Sequence, residues 1–192
     1  GSLFILPTFA AGNSASVGKV RYILGAVTVQ KKAKSNWNPL RIGLKVHEKD
    51  LIRTLVESEA GIALSDGSSI TIEENTTILF ENAVNQKNET TKTVEIRTGR
   101  VFFDVQKQKS NEKFQFKTGT ATAAIRGTNG FIEGSAAGTV VSLETGKMLI
   151  TDTTGQEMEL SGGETLVQEK GKPMRKFKTP NAGTKGLAKE IT

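Results

Sequence analysis

His47 is the only imidazole in the chain, set in Lys45-Val46-His47-Glu48-Lys49-Asp50 among charged, turn-like neighbours. Any serine-histidine-acid chemistry would rest on this one side chain, whose ordinary pKa lies near neutrality. No nucleophile motif accompanies it, so it reads as a solvated surface imidazole. The absence of cysteine removes thiolate catalysis, disulfides and cysteine metal centres, and a single histidine removes histidine clusters. Carboxylates remain: Glu73 with Glu74, Glu133, and Glu157 with Glu159. Glycoside hydrolysis needs two carboxyl groups facing each other across a bond, whereas strand alternation sends adjacent ones to opposite faces. Asp66 before Gly67, and Asp152 near Gly155, are turn acids without the spaced oxygens of a calcium loop. No glycine-rich phosphate loop opens a helix. The chain reads as non-enzymatic, with neither cofactor nor metal.

Binding chemistry is better represented. Arg126 closes the small-residue run Ala123-Ala124-Ile125-Arg126-Gly127-Thr128. A guanidinium there is costly to bury unless its five donors are met. The leading expectation is a structural corner, with Arg126 substantially buried against backbone carbonyls or an acid and Gly127 supplying the unusual backbone angle. Presentation of Arg126 to an anionic ligand or partner is the second reading. Trp37 and Tyr22 are the obvious stacking surfaces for a glycan, and Lys172, Arg175, Lys176 and Lys178 form a basic cluster able to meet an acidic partner.

These residues are carried on short alternating segments. Val17 to Gln30 reads as two strands around Gly25, with a turn at Lys31 to Lys34; Leu51-Ile52-Arg53-Thr54 and Ala60-Gly61-Ile62-Ala63-Leu64 run toward turns. Ser65-Asp66-Gly67-Ser68 is a hairpin signal, leading to Ile70-Thr71-Ile72. Asn82 to Lys92 is polar and is expected as an exposed loop. Val94-Glu95-Ile96-Arg97 is expected to turn at Thr98-Gly99 and return as Arg100-Val101-Phe102-Phe103-Asp104-Val105, the polar stretch Gln106 to Lys113 then closing that hairpin. The same strand-glycine-strand grammar recurs at Gly146, Gly155 and Gly163. Strands this short and regularly spaced predict an all-β fold of stacked hairpins, as a two-sheet roll or solenoid-like sandwich.

A length of 192 residues suits one domain with tails. Residues 1–16 look like a signal-peptide remnant or extension: Leu3 to Ala11 is apolar, and Thr8-Phe9-Ala10 has the small-x-small form of a cleavage site. Export follows as an expectation, to the periplasm or the bacterial surface. Residues 17–170 are the β domain, and 171–192 a basic tail. No apolar run approaches the roughly 20 residues that span a bilayer as a helix. The net charge of +6 divides as +5 over residues 1–60, −3 over 61–160 and +4 over 161–192. Basic ends around an acidic middle do not make the continuous basic face with stacking aromatics that nucleic acid requires. An acidic protein or an anionic envelope polymer suits that distribution better.

Three strings, Leu64-Ser65-Asp66-Gly67-Ser68-Ser69-Ile70-Thr71-Ile72, Ile96-Arg97-Thr98-Gly99-Arg100-Val101-Phe102-Phe103-Asp104-Val105 and Ala123-Ala124-Ile125-Arg126-Gly127-Thr128, followed in order by Val141 to Met148 and Leu160 to Val167, together resemble the FecR family. The resemblance covers most of residues 17–170 and makes Asp66, Gly67, Gly99, Arg126, Gly127, Thr128, Gly146 and Gly163 its structural signature. It implies an extracytoplasmic β domain, best known from regulators that relay occupancy of an outer-membrane receptor to a cytoplasmic sigma factor. The sequence shows neither their sigma-factor-binding segment nor their membrane helix, and so is expected to be similar to the stand-alone exported members. The reading is an envelope protein-interaction module, with a structural subunit of an envelope or appendage assembly and a glycan-binding module as alternatives.

Overall fold

The computed structural model describes residues 16–32 and 34–179; the signal-like segment expected at the amino terminus lies outside them. Alternation of apolar and polar residues over four to eight positions yields strands throughout, and no helix forms among the described residues. In chain order they are β1 (Ser16–Leu24), β2 (Val27–Gln30), β3 (Asn38–Pro39), β4 (Lys45–His47), β5 (Leu51–Thr54), β6 (Glu59–Leu64), β7 (Ser69–Ile72), β8 (Thr77–Val84), β9 (Thr90–Val105), β10 (Glu112–Lys117), β11 (Ala121–Ile125), β12 (Thr128–Gly134), β13 (Gly138–Thr145), β14 (Lys147–Asp152), β15 (Glu157–Ser161), β16 (Glu164–Glu169) and β17 (Arg175–Lys178). The chain is all-β, as the alternation predicts.

Pairing sorts the strands into two ladders. The first runs β4-β1-β6-β7-β9-β12-β13-β16-β17, and the second β3-β2-β5-β8-β9-β10-β11-β14-β15. All neighbours are antiparallel except β9 and β10. The ladders share one core: Phe103 of the first packs on Phe116 of the second at 4.8 Å between ring centroids, and Phe114, Phe116, Ile72, Ile96 and Ile150 are fully buried. Each such side chain contributes on the order of 2 kcal/mol by leaving water.

β9 joins the ladders, and here the expected hairpin at Thr98-Gly99 is corrected. Val94 to Thr98 pair with β8 in the second ladder, Gly99 to Val105 with β12 in the first, and the strand passes from one to the other without reversing. Gly99, at φ +93°, makes the bend, because a methyl there would lie 2.6 Å from Thr76 Cα. The stretch Gln106 to Lys113 is corrected likewise: Gln106 to Asn111 form a crossover, and Glu112 and Lys113 already begin β10, which runs back parallel to the start of β9. The polar segment Asn82 to Lys92 is mostly strand, paired out to Val84 with Thr90, and only the turn between them is loop. Its polar residues lie along an exposed hairpin end, where apolar alternation fades without loss of pairing.

Other glycine corners also change ladders. The chain crosses from β11 to β12 at Arg126-Gly127, from β13 to β14 at Gly146, and from β15 to β16 at Gly162-Gly163. These corners stack, since Gly162 N donates to Gly146 O at 2.9 Å and Gly163 N to Leu143 O at 2.8 Å. Gly155 instead serves a true hairpin between β14 and β15. Pairing continues past Lys170, where β17 adds to β16.

Candidate interaction surface

The outer side of the first ladder carries an aromatic row. Register aligns Tyr22 with Gly61, Gly61 with Thr71, Thr71 with Phe102, and Phe102 with Phe131. The neighbours Ile70, Ile72, Val101 and Phe103 fill the core, so alternation sends Thr71 and Phe102 outward. Phe131 is buried without joining that core. Phe102 meets it edge-on at 5.7 Å, and the Arg100 guanidinium lies 4.9 Å over its ring. Glu133 holds the guanidinium at 2.6 Å from Nη2 and 3.0 Å from Nε, with Glu73 at 3.9 Å. Tyr22 lies across Gly61, whose missing methyl leaves room for the ring. Its hydroxyl donates to Glu59 at 2.5 Å and lies 3.2 Å from Thr71 Oγ1. Desolvation, then the bond to Glu59, raises the phenol above its ordinary pKa. A depression of about 240 Å³ beside this row is rimmed by Ser69, Asp104, Asn129 and Glu144. Exposed Tyr22 and half-buried Phe102 beside polar residues and a partly buried arginine have the composition of a protein-binding face.

The signature residues fall at connections. Asp66 accepts from Ser68 N at 2.9 Å within the hairpin turn that holds Gly67, and takes Lys92 Nζ at 2.9 Å. Burial acts to raise this carboxyl, but Lys92 and the donors of Ser68 outweigh it and hold the pKa below the usual value. Thr128 Oγ1 donates to Thr145 O, tying the Gly127 corner to the Gly146 corner. Arg126 requires correction: it is exposed, and its side chain makes no hydrogen bond or ion pair among the described residues. Ala121, Ala123 and Ile125 face the core, so the same period of two places Thr122, Ala124 and Arg126 outside.

Trp37 is half-buried with the Arg53 guanidinium 4.2 Å from its ring, at the β3 end of the second ladder. The basic cluster lies far along the order, at the β17 end of the first, and is largely matched by acids. Lys172 and Arg175 meet Glu169, the latter at 3.0 Å; Lys176 meets Glu164 at 3.1 Å and the Glu159 carbonyl at 3.0 Å. Lys178 is exposed opposite Glu164 in register. The structure therefore does not bring Trp37 and the cluster into one site. His47 packs beside buried Asp50, 4.0 Å from its carboxylate, which Lys31 neutralises at 2.6 Å. Sequence reasoning missed Phe102, Phe131 and Arg100; the signal was the pair Phe102-Phe103, because two adjacent aromatics in one strand cannot both enter the core.

Comparisons with known proteins agree with this architecture. An uncharacterised protein of Treponema pallidum (strain Nichols) is 25% identical over 150 residues, covering 78% of this chain but 22% of that protein. Two crystal structures of a Parabacteroides distasonis protein provisionally assigned as an anti-sigma factor share the fold, with a TM-score of 0.57, 19% identity, and coverage of 67% of this chain and 59% of theirs. The chain thus spans only part of the relatives it matches. The family model described as FecR protein matches residues 50–149, from the start of β5 into β14 and across every signature position but Gly163, and the chain belongs to the FecR family.

Proposed function

We propose that this chain is a non-enzymatic, partner-binding module of the bacterial envelope, related to periplasmic signal transducers, and that it meets a protein through the outer face of its first ladder. The observation that carries the reading is exposed Tyr22 and half-buried Phe102, backed by buried Phe131, on a strand face where solvent alone would favour polar residues. Membership of the FecR family supports the signalling relationship and the extracytoplasmic location. Growth of an assembly edge to edge is disfavoured at β17, because Lys176 opposes the core residue Leu166 in register and crosses to the β15 backbone, placing an inward charge at the edge. A glycan has less to stack on, since Tyr22 is tethered at its hydroxyl and Arg53 covers a face of Trp37.

Affinity capture from an envelope extract, comparing the unaltered chain with Thr71→Lys and Phe102→Glu, tests this reading. A partner should be enriched by the first and lost from both variants while their melting temperatures show them folded. Equal capture by folded variants, or turnover of an envelope substrate by the purified chain, would overturn it.

A further inference from the structure

The crossover after β9 lies against the corner after β11: a methyl on Gly127 would sit 3.2 Å from Lys107 Cα. Between these two connections is a depression of about 270 Å³, lined in part by Gln108, Lys109, Ser110, Glu112, Lys113 and Arg126. We propose that it is a carboxylate-recognition site, which takes an aspartate or glutamate side chain of an extended acidic segment in a partner protein.

Charge comes first. Arg126 and Lys109 are exposed, and neither side chain has a partner among the described residues. Glu112, the acid in the lining, shares Lys92 with Asp66 and stands against three cations of the same lining, Lys109, Lys113 and Arg126. Lys113 is shared with Glu89 at 3.6 Å across an exposed pair, which screening keeps weak. The depression is therefore positive, and a planar guanidinium offers a carboxylate two parallel donors.

The second observation is independent of charge. Gln108 is 8% exposed, and its amide is fixed because Nε2 donates to Asp66 at 3.2 Å and to the Gln106 carbonyl at 2.9 Å. That orientation leaves Oε1 buried with no donor, and a buried acceptor left unmet is costly. The lining thus combines unpaired cationic donors with a residue whose acceptor is unpaired but covered, so that a ligand donor reaches Oε1 only as the side chains over it move aside. A ligand that satisfies both carries a negative group close to an N–H. An acidic residue in an extended peptide does so with its side chain and a separate backbone amide, whereas inorganic phosphate carries its charge and its P–OH donor on one small group. The volume lies just below the usual range for cofactor pockets, matching one side chain and its backbone. The site lies on the outward row of β11 in the second ladder, apart from the aromatic face, so the two can fail separately.

The test is an amide NMR titration of the full chain with an acetylated, amidated peptide of alternating glutamate and glycine, its glutamine counterpart, and inorganic phosphate. Saturable shifts are expected at Gln108, Ser110 and Arg126 with the glutamate peptide and not with the glutamine one. Arg126→Ala should weaken the peptide by about tenfold or more while leaving the spectrum of the core unchanged. Shifts spread over all lysines that persist in Arg126→Ala, saturation by phosphate as tight as by the peptide, or no saturation with any probe would each overturn the proposal.

Discussion

Gly146 rests on Gly127: a methyl added to Gly146 would lie 2.7 Å from the Gly127 carbonyl oxygen and 2.8 Å from Thr128 Cβ. Two successive crossings between the ladders are thereby stacked in contact, and Gly146 also holds φ +82°. Gly146→Ala must move backbone as well as strain it, so we expect a loss of about 2–4 kcal/mol. Gly155→Ala is the control, at a similar angle with nothing within 4 Å, and should cost about 1 kcal/mol. Urea unfolding of both variants decides the matter, and equal losses would show that the contact between corners contributes nothing.

Arg126→Ala carries the opposite expectation. An exposed guanidinium without a partner holds nothing together, so stability should change by no more than about 0.5 kcal/mol. A fall of several degrees in the melting midpoint would restore the buried corner that the sequence suggests.

That reversal marks where the sequence was legible. Period-two alternation exposed the strands and their all-β class, and the Asp66-Gly67 turn was readable because its chemistry is local. Glycine corners were readable as breaks, but not as hairpin or crossing: Gly155 turns back within a ladder and Gly146 changes ladder, with similar local sequence around each. Which it is depends on which neighbour offers an unpaired edge, a long-range fact. The bend at Gly99 hid for the same reason. Arg126 was decipherable by alternation carried one residue further than Ile125, and Phe102 by asking where the second of two adjacent phenylalanines must go.

Asp66 should leave a pH signature. Its carboxyl sits below the usual 3.8 because Lys92 and the Ser68 donors outweigh the opposing effect of burial. The folded state then binds the proton less readily than the unfolded chain. Its contribution is complete above that usual value and is lost as pH falls through it toward the lower folded pKa. Asp66→Asn should therefore be less stable than the parent at pH 6, with the gap narrowing by pH 3. A gap that stayed constant over this range in urea titrations would show that Lys92 and Ser68 do not favour the charged form.

Tyr22 offers the cleanest reading of the aromatic face, since the chain has a single tyrosine and its ionisation can be followed by absorbance alone. Desolvation first, and then the bond to Glu59, place the phenol above 10.0. Glu59→Gln removes a nearby negative charge and should move the titration down toward that value. Gly61→Ala acts through shape instead: the added methyl would meet the ring at 2.1 Å, so the ring must lift into water. The phenol is then rehydrated and separated from Glu59, and its titration should also fall. The two variants part in partner binding, because Glu59→Gln leaves the ring flat across the sheet while Gly61→Ala rebuilds the surface beside Thr71 and Phe102. Loss of capture by Gly61→Ala with retention by Glu59→Gln would tie recognition to the flat aromatic row; retention by both would move it elsewhere on the molecule.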